Sequence, residues 1–263
     1  PSAGTLACTG GLAKTVTAGI ATFAGCTINN LGTGYTLTAD DGAGGLALIT
    51  GPAFNVTAGG ASKLAFTTQP GGGSGGTTWA TQPVVAVQDQ FGNTVTSDNA
   101  TSVTLAIGTN PSAGTLACTG GLAKTVTAGV ASFAGCTIDK AGPGYRLTAS
   151  ATGLTGATSA TFTITVGPAT DLAFASQPVS GAAGVPWPVQ PAVQLLDSGG
   201  NAVRTGPDST RVITLALGSN PSGGTLTCSG GTSKAASAGL ATFSGCAIDK
   251  LVNATHGNPA LRA

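Results

Sequence analysis

Along this chain, apolar residues alternate with small polar ones over short stretches, and glycine breaks the alternation again and again. In SVTLAIG the residues Val103, Leu105 and Ile107 fall on one face, in GYRLTASA Tyr145, Leu147 and Ala149 do so, and TFTITV groups Phe162, Ile164 and Val166. A period of two is the mark of a half-buried strand. QFGNTV stands between two such runs, and its Gly92 and Asn93 are residue types that tolerate the positive φ of a tight turn. Further strands are predicted at LAFTT (64–68), at VVAVQD (84–89) and in KTVTAGVASF (124–133), where Val126 and Val130 share a side before the break at Gly135. Together these make about seven short strands spaced 8–15 residues apart, the layout of an antiparallel β-sandwich of roughly 100 residues.

The pattern repeats. GTLACTGGLAKTVTAGIATFAGCTI at residues 4–28 returns almost unchanged at residues 114–138, and more loosely at 224–248 as GTLTCSGGTSKAASAGLATFSGCAI. A repeat of domain size overrides a domain count made from length alone. Residues 59–166 then hold a complete repeat. Residues 1–58 hold the C-terminal part of one, and residues 167–263 hold one that lacks its last strands and finishes in a divergent tail, LVNATHGNPALRA.

Composition supports strands over helices. The chain has no Glu and no Met, 43 Gly, and only 7% charged residues, so the strong helix formers are scarce while Thr and Val recur. A net charge of +1 from ten dispersed Lys and Arg builds no basic face for nucleic acid. The apolar runs are broken well short of the roughly 20 residues that span a bilayer, so no membrane insertion is expected within this segment.

The cysteines fall as Cys8 and Cys26, Cys118 and Cys136, Cys228 and Cys246, with one spacing throughout. Six thiols allow fifteen pairings, of which pairing inside each block is the economical one. It predicts three disulfides, each closing a loop worth roughly 3 kcal/mol, and an exported protein. Free buried thiols and a zinc site are the alternatives. The zinc reading lacks a C-x-x-C, and the single histidine, His256, sits in the tail.

Little else suggests chemistry. Nine Asp, one His and many Ser and Thr supply no nucleophile–base–orienter set, so neither enzymatic activity nor a cofactor is expected. Asp89 and Asp197, each in a D-x-x-G-N motif, read as Asx-type turns, since two such residues fall far short of the 6–8 oxygens calcium takes. The Asp40–Asp41 pair reads as solvated loop charge, with an inter-domain calcium as its alternative. Lys14, Lys124 and Lys234 recur in register. Asp139 and Asp249 recur too, but Asn29 replaces them in the first block, which weighs against a shared isopeptide bond. Trp79 and Trp187 occupy equivalent places in WATQP and PWPVQP, either as core plugs or as platforms for stacking on sugars. N-x-T acceptor sequences occur at Asn55, Asn99 and Asn253.

LAFTTQP, VVAVQDQFGNTVT, VTLAIGTNPSAGTL and VTAGVASFAGCTIDKAGPGYRLTAS, taken in order, resemble the bacterial immunoglobulin-like tandem repeats of large secreted and cell-surface proteins, in the style of invasin and intimin stalks. The resemblance implies an all-β chain of tandem immunoglobulin-like antiparallel β-sandwiches, one complete repeat flanked by two incomplete ones. It further implies a structural stalk or filament, extracellular or at the cell surface. A glycan-binding adhesin module, or accessory domains of a large secreted hydrolase, are the competing readings. The incomplete repeats raise a further expectation. Either neighbouring repeats of a longer chain supply the missing strands, or another copy does so by strand donation, with Tyr35 and Leu37, or Phe54 and Val56, entering the acceptor.

Overall fold

The computed structural model describes residues 3–250. Beyond one 3-10 turn at Pro207–Thr210, its regular structure consists of short strands. The strands pair antiparallel with one exception, Gly73–Ser74 against Phe162–Thr165. No helix among the described residues is long and apolar enough to cross a membrane.

Residues 59–166 form two larger sheets around one core and a small hairpin, Leu116–Ala117 paired with Thr137–Ile138. The first has the order Val130–Ser132, Val84–Gln88, Lys63–Thr68. The second runs Ala123–Thr125, Ser102–Thr109, Gly142–Ser150, Phe162–Thr165, Gly73–Ser74, with Ala157–Thr158 paired to the flank of Gly142–Ser150. Val85 and Val87 of the first sheet join Val103, Leu105, Tyr145, Leu147 and Ile164 of the second in one buried cluster, while Thr104, Ala106 and Arg146 face out. The period of two accounts for this division, with two departures. KTVTAGVASF, expected as one strand with Val126 and Val130 on one side, turns at Thr127–Val130, so that Ala123–Thr125 and Val130–Ser132 lie in different sheets. Val166, grouped by sequence with Phe162 and Ile164, is exposed, because the strand stops at Thr165 and the chain turns toward Asp197.

Residues 167–250 repeat the first sheet as Asp171–Ser176, Ala192–Leu196 and Leu240–Thr242. The register is the same: Phe174 lies opposite Val193 as Phe66 lies opposite Val85. Val212–Thr214 pairs with Ser233–Ala235, and Leu226–Thr227 with Ala247–Ile248. A smaller core gathers Val193, Leu195, Ile213, Ala241 and Phe243. Among the described residues nothing stands where Gly142–Ser150 and Phe162–Thr165 stand in the middle segment.

Residues 3–58 supply the opposite half. The hairpin Leu6–Thr9 with Ala24–Ile28 is followed by the pairs Gly32–Tyr35 with Phe54–Val56, and Thr38–Ala39 with Ile49–Thr50. Tyr35 faces Phe54 as Tyr145 faces Phe162.

Each segment carries a disulfide across its hairpin: Cys8–Cys26, Cys118–Cys136 and Cys228–Cys246. Gly135 lets the strand turn into Cys136. It sits at φ 59°, and a Cβ there would strike the Thr119 hydroxyl; Gly25 and Gly245 hold the equivalent places.

Candidate functional site: the contact between consecutive segments

The strand Ala192–Leu196 runs into a five-residue turn, DSGGN, whose first residue is fully buried. A buried carboxylate needs partners for its lone pairs, and Asp197 finds them locally. Its Oδ1 accepts from the amides of Gly199 at 2.9 Å and Asn201 at 2.8 Å, and its Oδ2 accepts from Gly167 N at 2.9 Å. The Asn201 side-chain amide also donates to Asp197, at 2.9 Å to Oδ1. This is the Asx-type turn expected of the motif, with the incoming linker tied to it.

The turn reaches beyond its own segment. Asn201 Nδ2 donates to the carbonyl of Asp139 at 2.7 Å, and Asn201 Oδ1 accepts from Ala141 N at 3.0 Å. Lys140 Nζ donates to the Gly199 carbonyl at 2.9 Å, and Ser198 Oγ donates to the Gly75 carbonyl at 2.9 Å. Lys140 and Asp139 also stand 3.9 Å apart, a half-exposed pair of little energetic consequence. Two glycines permit the approach. A Cβ on Gly75 would lie 2.6 Å from the Asp139 carbonyl, and one on Gly199 would collide with that carbonyl and with Gly75 itself. Backbone meets backbone here because both positions lack a side chain.

The head and middle segments meet through the same device in reduced form. Asp89 accepts from Phe91 N and Asn93 N at 2.9 Å each, from Asn93 Nδ2 at 2.9 Å and from Gly59 N at 3.1 Å. Asn93 Nδ2 then donates to the carbonyl of Asn29 at 2.8 Å. Burial pushes the Asp89 carboxyl up. The Asn93 amide and the three backbone N–H groups outweigh it, so its pKa lies below the ordinary aspartate value. Phe91 occupies the place of Gly199 and stays half exposed beside a cleft of about 330 Å³ lined by Ile28, Gly59 and Asn93.

The remaining sequence candidates are dispersed. No group of three or more His, Cys, Asp or Glu that could hold a metal ion occurs among the described residues. Asp41 accepts hydrogen bonds from the amides of Gly44, Gly45 and Leu46 within its own loop. Lys14 donates to the carbonyls of Thr9 and Gly10 at 3.0 Å each. Asn55 accepts from Gly34 N, and Asn99 from Ala128 N. His256 and Asn253 lie outside the described residues. Trp79 is 2% exposed, its indole N–H buried without a partner and its ring set edge-on to Phe162 at 5.2 Å. Trp187 is half-buried, so the two tryptophans share no ligand-facing surface.

Sequence reasoning passed over three kinds of residue. The D-x-x-G-N motif places Asn93 and Asn201 in turns but names no partner across segments, and nothing in the sequence singles out Gly75 or Gly199. Gln82 and Gln190 in the tryptophan motifs also escaped attention. Each accepts from the amide of the buried cysteine, Cys136 or Cys246, at 2.7 Å, and donates to its own tryptophan carbonyl. The available signal was recurrence: D-x-x-G-N returns some sixty residues after both Asn29–Asn30 and Asp139–Lys140. Comparisons with protein-family profiles, with curated proteins and with solved structures return no match.

Proposed function

We propose that this chain is a non-enzymatic structural protein of tandem immunoglobulin-like sandwiches, serving as a stalk or filament on or outside a bacterial cell. The sheet order of residues 59–166 supports the sandwich reading. Lys63–Thr68, Val84–Gln88 and Val130–Ser132 in one sheet, with Ser102–Thr109, Gly142–Ser150 and Phe162–Thr165 in the other, fits the immunoglobulin-like division, extended here at the flanks by Ala123–Thr125 and Gly73–Ser74. So does the Tyr145 hydroxyl, which donates to the carbonyl of Lys140, five residues upstream, at 2.8 Å, in the manner of a tyrosine corner; Tyr35 does the same to Asn30 at 3.2 Å. The disulfide departs from the immunoglobulin pattern, since it closes a hairpin and does not bridge the two sheets. Disulfides persist in oxidising compartments, which fits an exported protein.

The observation that carries the stalk reading is the contact made by Asn201 and, in reduced form, by Asn93. A side-chain amide bonded to the backbone of the preceding segment restrains the angle between units, with two such bonds at Asn201 and one at Asn93. Small-angle scattering tests this. The chain should scatter as a stiff rod, and Gly199→Ala should convert it to a bending one. A chain that already bends freely would refute the reading. Glycan binding keeps Trp187 alone as its platform, because Trp79 is enclosed.

A further inference from the structure

We propose that Gly75 makes the end of the middle segment a seat for a D-x-x-G-N turn, and that Ala183 closes the equivalent seat on the tail segment. The contact between segments suffices for this, whatever role the array serves. The receiving end of the middle segment consists of residues 73–76 and 138–141. Gly76 N donates to the Ile138 carbonyl at 3.0 Å, and the Tyr145 hydroxyl holds the Lys140 carbonyl from the core side at 2.8 Å. Asn201 meets this end with one donor and one acceptor, aimed at the Asp139 carbonyl and the Ala141 amide. Both targets are main-chain groups, present whatever the side chains. What the asparagine requires of the receiving end is therefore room.

Gly75 sets that room. It is buried, and its carbonyl accepts from Ser198 Oγ at 2.9 Å. A Cβ on it would strike Asn201 Nδ2 and lie 3.1 Å from Asp197 Oδ2. Asn201 is not placed to step aside. Its Nδ2 is held by the Asp139 carbonyl at 2.7 Å and by Asp197 Oδ1 at 2.9 Å, and its Oδ1 by Ala141 N at 3.0 Å. Displacing the amide breaks bonds on both sides of the junction and strips the Ala141 N–H of its acceptor.

The tail segment repeats this end with a change at the seat. Ala183 stands four residues before Trp187, as Gly75 stands four before Trp79. The surroundings agree closely. Gly184 has φ 71° where Gly76 has 72°, and Gly184 N donates to the Ile248 carbonyl at 2.8 Å. Trp187 N donates to the Cys246 carbonyl at 3.0 Å, as Trp79 N does to that of Cys136 at 3.2 Å. Asp249 Oδ1 accepts from Thr225 N at 2.6 Å, as Asp139 Oδ1 does from Thr115 N at 2.6 Å. Lys250 stands in the place of Lys140 and bonds to the Gly223 carbonyl of its own segment at 3.2 Å.

The methyl of Ala183 thus stands where the asparagine amide lands on the middle segment. Alanine is compatible with the fold of this end, because the tail builds the same loop with it. It is incompatible with the docked turn. A D-x-x-G-N turn, from a following segment or from another copy, finds an open seat on a glycine end and a filled one on an alanine end. One methyl group decides between them, a steric veto that needs no repulsive charge. Close docking is then written segment by segment, and an alanine end meets any neighbour without this brace.

The test uses the whole chain. Gly75→Ala gives the middle segment the tail's residue, so its behaviour reports on both ends. Hydrogen exchange at the Ala141 amide, which Asn201 covers, should quicken about tenfold or more. Exchange at Gly76, bonded within the same end to Ile138, should stay within about twofold of the unaltered chain. Asn201→Ala should release Ala141 to a similar degree and likewise spare Gly76. An Ala141 amide as protected in Gly75→Ala as in the unaltered chain overturns the proposal, because the seat then tolerates a methyl group. Equal losses at Gly76 and Ala141 overturn it too, because alanine then disturbs the end itself and not the docking. An Ala141 amide that exchanges freely in the unaltered chain removes the contact altogether, and the stalk reading with it.

Discussion

Leu64 and Leu172 both begin the triplet Leu-Ala-Phe on a strand of the same register, yet Leu64 is 4% exposed and Leu172 56%. Their local sequences and their pairing partners agree. The difference lies in what crosses over them. In the middle segment the long strand Gly142–Ser150 and the loop behind it roof the first sheet, and Leu64 N donates to the carbonyl of Thr155 at 2.8 Å. The tail has no such roof among its described residues. A strand's pattern therefore states which face is apolar, and the rest of the sheet decides whether that face is buried.

Truncation separates the two positions most sharply. Leu64→Ala should destabilise the middle segment by about 2–5 kcal/mol, as for a fully buried leucine, whereas Leu172→Ala in monomeric protein should stay within about 0.5 kcal/mol. Denaturant unfolding followed by hydrogen exchange at Val85 and Val193 reads each segment separately. Equal costs would mean that the two faces are covered alike.

The disulfides give the next contrast. Replacing Cys118 and Cys136 together by serine should cost the middle segment about 3 kcal/mol, because the cross-link closes a loop spanning 18 residues within a cooperative core. The same double change at Cys8 and Cys26 should loosen only the hairpin of residues 6–28, whose Leu12, Val16, Ile20 and Phe23 are all exposed. Thermal melts of the two double variants distinguish a locked core from a locked hairpin.

At the junctions, Asn201→Ala should cost about 1–3 kcal/mol of coupling between segments, since it strips two backbone groups of their partner. Asn93→Ala, with a single inter-segment bond, should cost less. Exchange rates at the Ala141 amide report the first directly.

The smallest effect is one of pH. The Asp89 pKa is depressed in the folded state, so its contribution is fully present above the ordinary aspartate value and is lost as pH falls through the lower, folded value. Stability should decline over that acidic window, and Asp89→Asn should flatten the decline. A slope identical in the variant would assign it to other carboxylates.

Much of the middle segment was legible in the sequence because its physical rules are local. Val103, Leu105, Tyr145 and Leu147 were placed by alternation alone, and three identical cysteine spacings pointed to hairpin disulfides. Val166 was misplaced because alternation says nothing about where pairing stops. The junction was half legible. Asp89 and Asp197 announced their turns through the glycine and asparagine that follow, yet the acceptors of Asn93 and Asn201 are backbone carbonyls of Asn29 and Asp139, which leave no side-chain signature. Trp79 and Trp187 looked equivalent and are not, since their surroundings depend on Phe162, 83 residues beyond Trp79, which has no counterpart among the described residues of the tail.

The hairpin disulfide also sets how far the chain can lengthen under load. Pulled from both ends, a segment that unravels pays out chain at roughly 3.3–3.6 Å per residue. The bond between Cys118 and Cys136 takes the residues between them out of the line of pull, a sequence separation of 18. Each oxidised hairpin thereby withholds about 60 Å of contour from a stretched chain, and only reduction of its disulfide releases that length.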